Sequence, residues 1–101
     1  MTTQIPLAAD LVPLVLGGKK TSTVRLGIRN YPLGPAKIVS GSVGIPIEIT
    51  EIKFTKVGRL DEPTAKSEGY DSLDELQCAL KRFYPRAGLD SDITVVRFRR
   101  S

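Results

Sequence analysis

The hydrophobic positions of this chain change period along its length, and each change marks an element. Between Leu11 and Leu16 the apolar residues crowd into one short stretch that Gly17-Gly18 ends. This predicts a short helix with Asp10 as its N-cap and Pro13 tolerated in the first turn, where the amides have no intrahelical acceptor. From Thr21 the pattern alternates, with Val24 and Leu26 on one side and Thr21, Thr23 and Arg25 on the other, as in a half-buried strand. Thr23 and Arg25 therefore share a face. Leu26 to Ala36 holds Gly27, Asn30, Pro32, Gly34 and Pro35, a density of turn formers that predicts a loop carrying Arg29 and Tyr31.

A strand is predicted around Lys37 to Ser40, then a tight turn at Gly41-Ser42 and a long extended segment from Val43 to Val57. Within that segment Ile45, Ile47 and Ile49 fall on odd positions, whereas Ile52 and Phe54 fall on even ones. A shift of register near Thr50-Glu51 is what a bulge produces, and a bulge bends a strand so that it serves two sides of a curled sheet. Asp61 is placed to cap a helix over Glu62 to Glu68, stopped by Gly69. Ser72-Leu73-Asp74-Glu75 fits a capping box opening a second helix, whose Leu73, Leu76, Leu80 and Phe83 repeat at helical spacing until Tyr84-Pro85. Ile93 to Phe98 reads as a closing strand with Arg97 and Arg99 on its solvated face. The order predicts one α+β domain over residues 1–101, a small mixed β-barrel with flanking short helices.

Composition narrows the chemistry. One cysteine excludes an internal disulfide, and without histidine the usual zinc or iron ligand sets cannot form, so the residues call for no metal and no cofactor. Cys78 lies in an amphipathic stretch and is expected to be a small core or partly buried residue. No apolar run approaches ~20 residues and no basic leader precedes one, so a soluble cytoplasmic protein with no membrane partner is expected. The net charge of +4 and pI near 9.5 are modestly basic. That charge is unevenly spread: Leu11 to Ile47 contains Lys19, Lys20, Arg25, Arg29 and Lys37 but no Asp or Glu, which favours an anionic or electron-rich ligand.

The segment Gly18-Lys19-Lys20-Thr21-Ser22-Thr23-Val24-Arg25 concentrates two lysines, three hydroxyls and an arginine where helix passes into strand. With Leu16-Gly17 before it, it resembles the SGKKTxTIR signature of the ASCH domain, a family with a PUA-like β-barrel. Leu26-Gly27-Ile28-Arg29, Ala65 to Tyr70, Ser72 to Leu76, Tyr84-Pro85 and the strand to Phe98 are similar to later parts of the family pattern, so the resemblance spans nearly the whole chain. Gly34-Pro35 stands where the short bacterial members carry Gly-Asp. The resemblance implies a partner that is RNA or a modified nucleoside. Short bacterial members include an amidohydrolase that removes the acetyl group from N4-acetylcytidine, and its Lys, Thr and Glu match Lys20, Thr23 and Glu68.

Amide hydrolysis needs a nucleophile, a base and an acid for the departing amine. Thr23 can supply the oxygen, and Lys20 can act as base if burial or the neighbouring Lys19, Arg25 and Arg29 disfavour its charge. Glu68 sits where a carboxylate meets the negative end of a helix dipole, a local rule broken in the way functional residues break it. Each also has a plain structural role open to it: a helix-terminal lysine in water, a threonine favoured in a strand, a solvated surface glutamate. Arg25 can orient a carbonyl or phosphate, or pair with Glu68. Lys19, Arg25, Arg29 and Tyr31 are the substrate-binding candidates, Tyr31 by stacking on a base or else simply by packing. Arg97, Arg99 and Arg100 form a solvated face or meet phosphate. Three functions fit: an amidohydrolase of acylated nucleosides, a non-catalytic RNA-binding module, and a ribonuclease-like activity disfavoured by the absence of histidine.

Overall fold

The computed structural model describes residues 2–101, and its strands form one five-stranded sheet. In chain order the elements are β1 (Thr3–Pro6), a one-turn 3-10 helix (Ala9–Leu11), α1 (Val12–Leu16), β2 (Ser22–Leu26), β3 (Gly34–Ser40) and β4 (Val43–Lys56). A second 3-10 turn (Val57–Arg59), α2 (Glu62–Ser67), α3 (Leu73–Phe83) and β5 (Asp92–Arg100) complete it. The sheet order is β1-β3-β4-β5-β2, so β1 and β2 are its two edges. Only the β1–β3 pair is parallel.

The expected bulge is present: pairing of β4 with β5 shifts between Ile49 and Glu51. On one side of it Ile45, Ile47 and Ile49 are buried, and on the other Ile52 turns to the same core while Phe54 remains half exposed. The extra residue lets one 14-residue strand pair with β3 at its start and with β5 along the remainder, which curls the sheet into a half-barrel.

The curled sheet has a core on each face. Inside the half-barrel Ile5, Val15, Ile38, Ile47, Val96 and Phe98 pack together. On the outer face Val24, Ile93 and Val95 meet Ala65 of α2 and Leu76 and Leu80 of α3. β5 feeds both cores with alternate residues, so it is buried on both sides from Ile93 to Val96. Arg97 and Arg99 escape to the surface, where they pair with Glu51 and Glu48.

Asp61 and Ser72 cap α2 and α3 as expected, accepting from Thr64 N at 3.0 Å and Glu75 N at 3.2 Å. Each cap satisfies an amide that the first helical turn leaves without an intrahelical acceptor. Asp10, by contrast, caps nothing. The chain is already turning at Ala9–Leu11, the residue before α1 is Leu11, and the Asp10 carboxylate instead pairs with Arg82 at 3.2 Å. Cys78 is exposed rather than buried. At 3.6 residues per turn it lies about 200° around α3 from Leu76, away from the apolar stripe. β1 was not foreseen, and β3 begins at Gly34, three residues before the expected strand, because its first residues extend the β4 ladder. No helix among the described residues is long and apolar enough to cross a membrane.

Candidate active site

The two edge strands do not meet, and a cavity of about 300 Å³ lies between them. Pro6 at the end of β1, with Leu7 and Ala8 after it, forms one wall, and Thr23, Val24 and Arg25 of β2 form the opposite one. α3 contributes Leu76, Leu80 and Phe83 among others, and Lys20, Glu68, Tyr70 and Tyr84 also line it. An apolar chamber with a few convergent polar groups is the usual form of a small-molecule site, and this volume is near the lower end of that range.

Local structure explains how the polar groups arrive there. α1 ends on Gly18 at φ +79°, and the Lys20 amide returns to Leu14 O at 2.9 Å, turning the Lys20 side chain inward. α2 ends with Glu68 as its last half-helical residue and Gly69 at φ +94°. The Tyr70 amide donates to Ala65 O and the Gly69 amide to Lys66 O, both at 3.0 Å, a Schellman closure that leaves the Glu68 side chain directed at β2. Thr21 N donates to Ser67 O at 2.6 Å, tying the start of β2 to the end of α2.

Lys20 and Glu68, each 3% exposed at the side chain, form an ion pair at 3.1 Å. Lys20 Nζ also donates to Glu68 O at 3.3 Å. Burial pushes the Lys20 ammonium below its ordinary 10.5, the Glu68 carboxylate opposes that shift, and the charge of Arg25 adds to it. Ser22 Oγ donates to the other carboxylate oxygen, Glu68 Oε2, and lies 2.7 Å from Ser67 Oγ. Thr23 is buried at 4% exposure on the opposite face of β2, paired across the strands with Val96. Tyr70 is pushed above its usual 10.0 by burial, with the negative charge of Glu68 adding to the effect.

The structure brings Lys20, Thr23, Arg25 and Glu68 to one cavity although the carboxylate lies 48 positions from the lysine. Arg25 does not take Glu68 as its partner. Its Nη2 donates to Pro6 O, bridging the two sheet edges, and its Nε is buried with no hydrogen-bond partner. The other three substrate-binding candidates do not line this cavity. Lys19 is exposed and pairs with Asp71 at 3.5 Å. Arg29 donates from its backbone to Thr94 Oγ1 at 2.8 Å and from Nε to Leu26 O at 3.0 Å. Tyr31 packs against the half-barrel core and lines a separate surface groove with Leu33, Ile52 and Phe54. No cluster of three or more metal-ligating His, Cys, Asp or Glu occurs among the described residues.

The solved ASCH domain from Lactobacillus crispatus superposes with a TM-score of 0.82 at 21% identity, over 98% of this chain and 79% of that one. The chain has the ASCH-domain fold. An ASCH protein from Zymomonas mobilis, solved as a serine-to-alanine variant, gives 0.61 at 19% identity over 95% of this chain and 66% of that one. A protein from Enterococcus faecalis gives 0.70 at 19% identity, over 91% and 67%. No protein-family model and no curated protein matches the sequence.

Within the ASCH fold, sequence reasoning missed Ser22, Tyr70 and Tyr84. For Ser22 a signal existed: it shares strand parity with Val24 and Leu26, the buried face, so a polar residue there needed a partner. Tyr70 and Tyr84 follow helix ends, and nothing local indicates that those ends converge.

Proposed function

We propose that this protein is a member of the ASCH family that hydrolyses the amide of an acylated nucleoside, N4-acetylcytidine or a close relative. The observation that carries the reading is the convergence of Lys20, Thr23 and Glu68 on one apolar cavity, with the lysine and carboxylate buried and paired. ASCH proteins are usually linked to RNA or nucleotides, which fits a chamber where Tyr70, Phe83 and Tyr84 supply aromatic surface for a base.

In this mechanism Lys20 acts in its neutral form, which burial favours. The Thr23 hydroxyl bonds to the acyl carbon and gives its proton to Lys20 Nζ. Collapse of the tetrahedral adduct breaks the C–N bond, and the departing cytosine amine takes up a proton delivered through the Lys20–Glu68 pair. Water then hydrolyses the acyl-threonine ester, releasing acetate and restoring the hydroxyl. The Arg25 guanidinium, whose Nε has a free donor, stabilises the oxyanion of the adduct.

The test is chromatographic detection of cytidine after incubating the purified protein with N4-acetylcytidine. Thr23→Ala and Glu68→Gln, verified as folded by circular dichroism, are expected to lower turnover at least ~100-fold. A folded wild-type protein that releases no cytidine overturns the reading, and salt-dependent RNA binding by that protein would then support a non-catalytic module.

A further inference from the structure

Ser22 and Ser67 have no part in the steps above, yet they occupy the far side of Glu68 from Lys20. Ser22 is fully buried, and its Oγ donates to Glu68 Oε2. Ser67 is half-buried at the end of α2, its Oγ 2.7 Å from Ser22 Oγ and 2.8 Å from Thr64 O. Each hydroxyl has a single proton, and the four oxygens form a row: Glu68 Oε2, Ser22 Oγ, Ser67 Oγ, Thr64 O.

Counting protons along this row gives two complete arrangements. With Glu68 ionised, Ser22 donates to the carboxylate and Ser67 turns to Ser22 or to Thr64 O. With Glu68 protonated, the carboxyl donates to Ser22, Ser22 to Ser67, and Ser67 to Thr64 O, so every donor again has an acceptor. Passing from the first to the second takes one proton added to Glu68 and the rotation of at most two hydroxyls. We propose that Ser22 and Ser67 form a reversible hydroxyl relay that holds Glu68 in place in both of its protonation states. Resting on the hydrolase reading, this makes Ser22 a positioning residue for the proton transfers of that reaction.

The other groups facing Glu68 do not provide this two-way support. Arg25, from β2, and Lys20, from the α1–β2 connection, whenever it carries its proton, are cations that favour only the ionised form. Tyr70 lies beyond α2, and the α3 side of the cavity offers Tyr84 and otherwise apolar residues such as Leu76 and Phe83. The wall at the end of β1 is Pro6, Leu7 and Ala8.

The two serines have opposite expected effects. Ser22→Ala removes a charge-assisted donor to the carboxylate, a stronger bond than the neutral one lost from the acid form. Ser67→Ala leaves Ser22 free to donate to the carboxylate but takes away the acceptor that the acid form requires. The experiment is a pH titration of the protein labelled with 13C at glutamate Cδ, the Glu68 resonance being assigned by its loss in Glu68→Gln. N4-acetylcytidine turnover is followed against pH in the same variants.

The carboxyl midpoint is expected to move up in Ser22→Ala and down in Ser67→Ala. A packing role would not move them in opposite directions. Midpoints that move together, or a carboxyl that titrates in none of the proteins, overturn the relay. Should Ser22→Ala not fold, the direction in Ser67→Ala decides alone. Opposite displacements without wild-type turnover keep the relay and reject the hydrolase reading. Turnover with unmoved midpoints does the reverse.

Discussion

Lys20 Nζ lies 3.1 Å from Glu68 Oε1 with both side chains 3% exposed, so each charge is the other's principal compensation for leaving water. Buried pairs of this kind contribute little net stability, whereas one charge left alone is costly. Lys20→Met and Glu68→Gln are each expected to destabilise the fold, the former by about 3–5 kcal/mol because it strands the carboxylate. The double variant should recover most of that loss. Urea unfolding of the four proteins measures the coupling, and purely additive losses would contradict it.

The same burial sets a pH dependence. Lys20 is held below its ordinary 10.5 in the folded protein, so in the window between its lowered value and 10.5 the unfolded chain binds more protons. Raising the pH through that window therefore favours the folded state. Relative to Lys20→Met, wild-type stability is expected to rise with pH there. Denaturant midpoints of the two proteins from pH 7 upward measure the difference, and a gap that stays constant or shrinks with pH would rule out this assignment.

Tyr70 has the opposite consequence. Its phenol is raised above 10.0, so above that pH the unfolded chain loses the proton first and stability falls. Absorbance titration of the chain's three tyrosines should show one ionising later than the others. Glu68→Gln should bring that late transition part of the way back, since desolvation is the larger cause and the Glu68 charge the second. Three coincident transitions would remove the case for a buried phenol.

Gly69 tests the α2 terminus. Its φ is +94°, and a Cβ there would lie 3.2 Å from Leu14 Cδ1 and 3.5 Å from Lys20 Cβ. Gly69→Ala therefore combines left-handed strain with a tight contact to Leu14 Cδ1, and a loss of about 1–2 kcal/mol is expected in thermal unfolding. An unchanged midpoint would mean that the closure adapts freely.

What could be read from the sequence was local in origin. The Thr50 bulge was legible because isoleucines changed parity within one strand, and the caps at Asp61 and Ser72 because their partners lie three residues away. Glu68 could be singled out as a carboxylate at the wrong end of a helix. Its burial could not, because that depends on α2 closing against β2 across more than forty positions. β1 was missed for a similar reason: four residues with one buried side chain carry almost no periodicity, and their pairing comes from β3. Asp10 had the chemistry of a cap, but the preceding 3-10 turn removed the geometry.

Arg25 joins strand edges that make no ladder with each other, since its guanidinium reaches from β2 to the carbonyl of Pro6 at the end of β1. β1 is otherwise held by its parallel pairing with β3, which ends in the 2.9 Å bond from Leu7 N to Val39 O. Arg25→Lys keeps the charge but loses the planar fork whose Nη2 holds Pro6 O. Native-state hydrogen exchange of the Leu7 amide is expected to quicken roughly 10-fold, the equivalent of one modest hydrogen bond, while amides in the centre of β5 are unaffected. If Leu7 and β5 quickened together, the arginine would be supporting the whole fold. If neither changed, the bridge would contribute nothing to the edge, and the remaining role of Arg25 would lie with the ligand in the cavity.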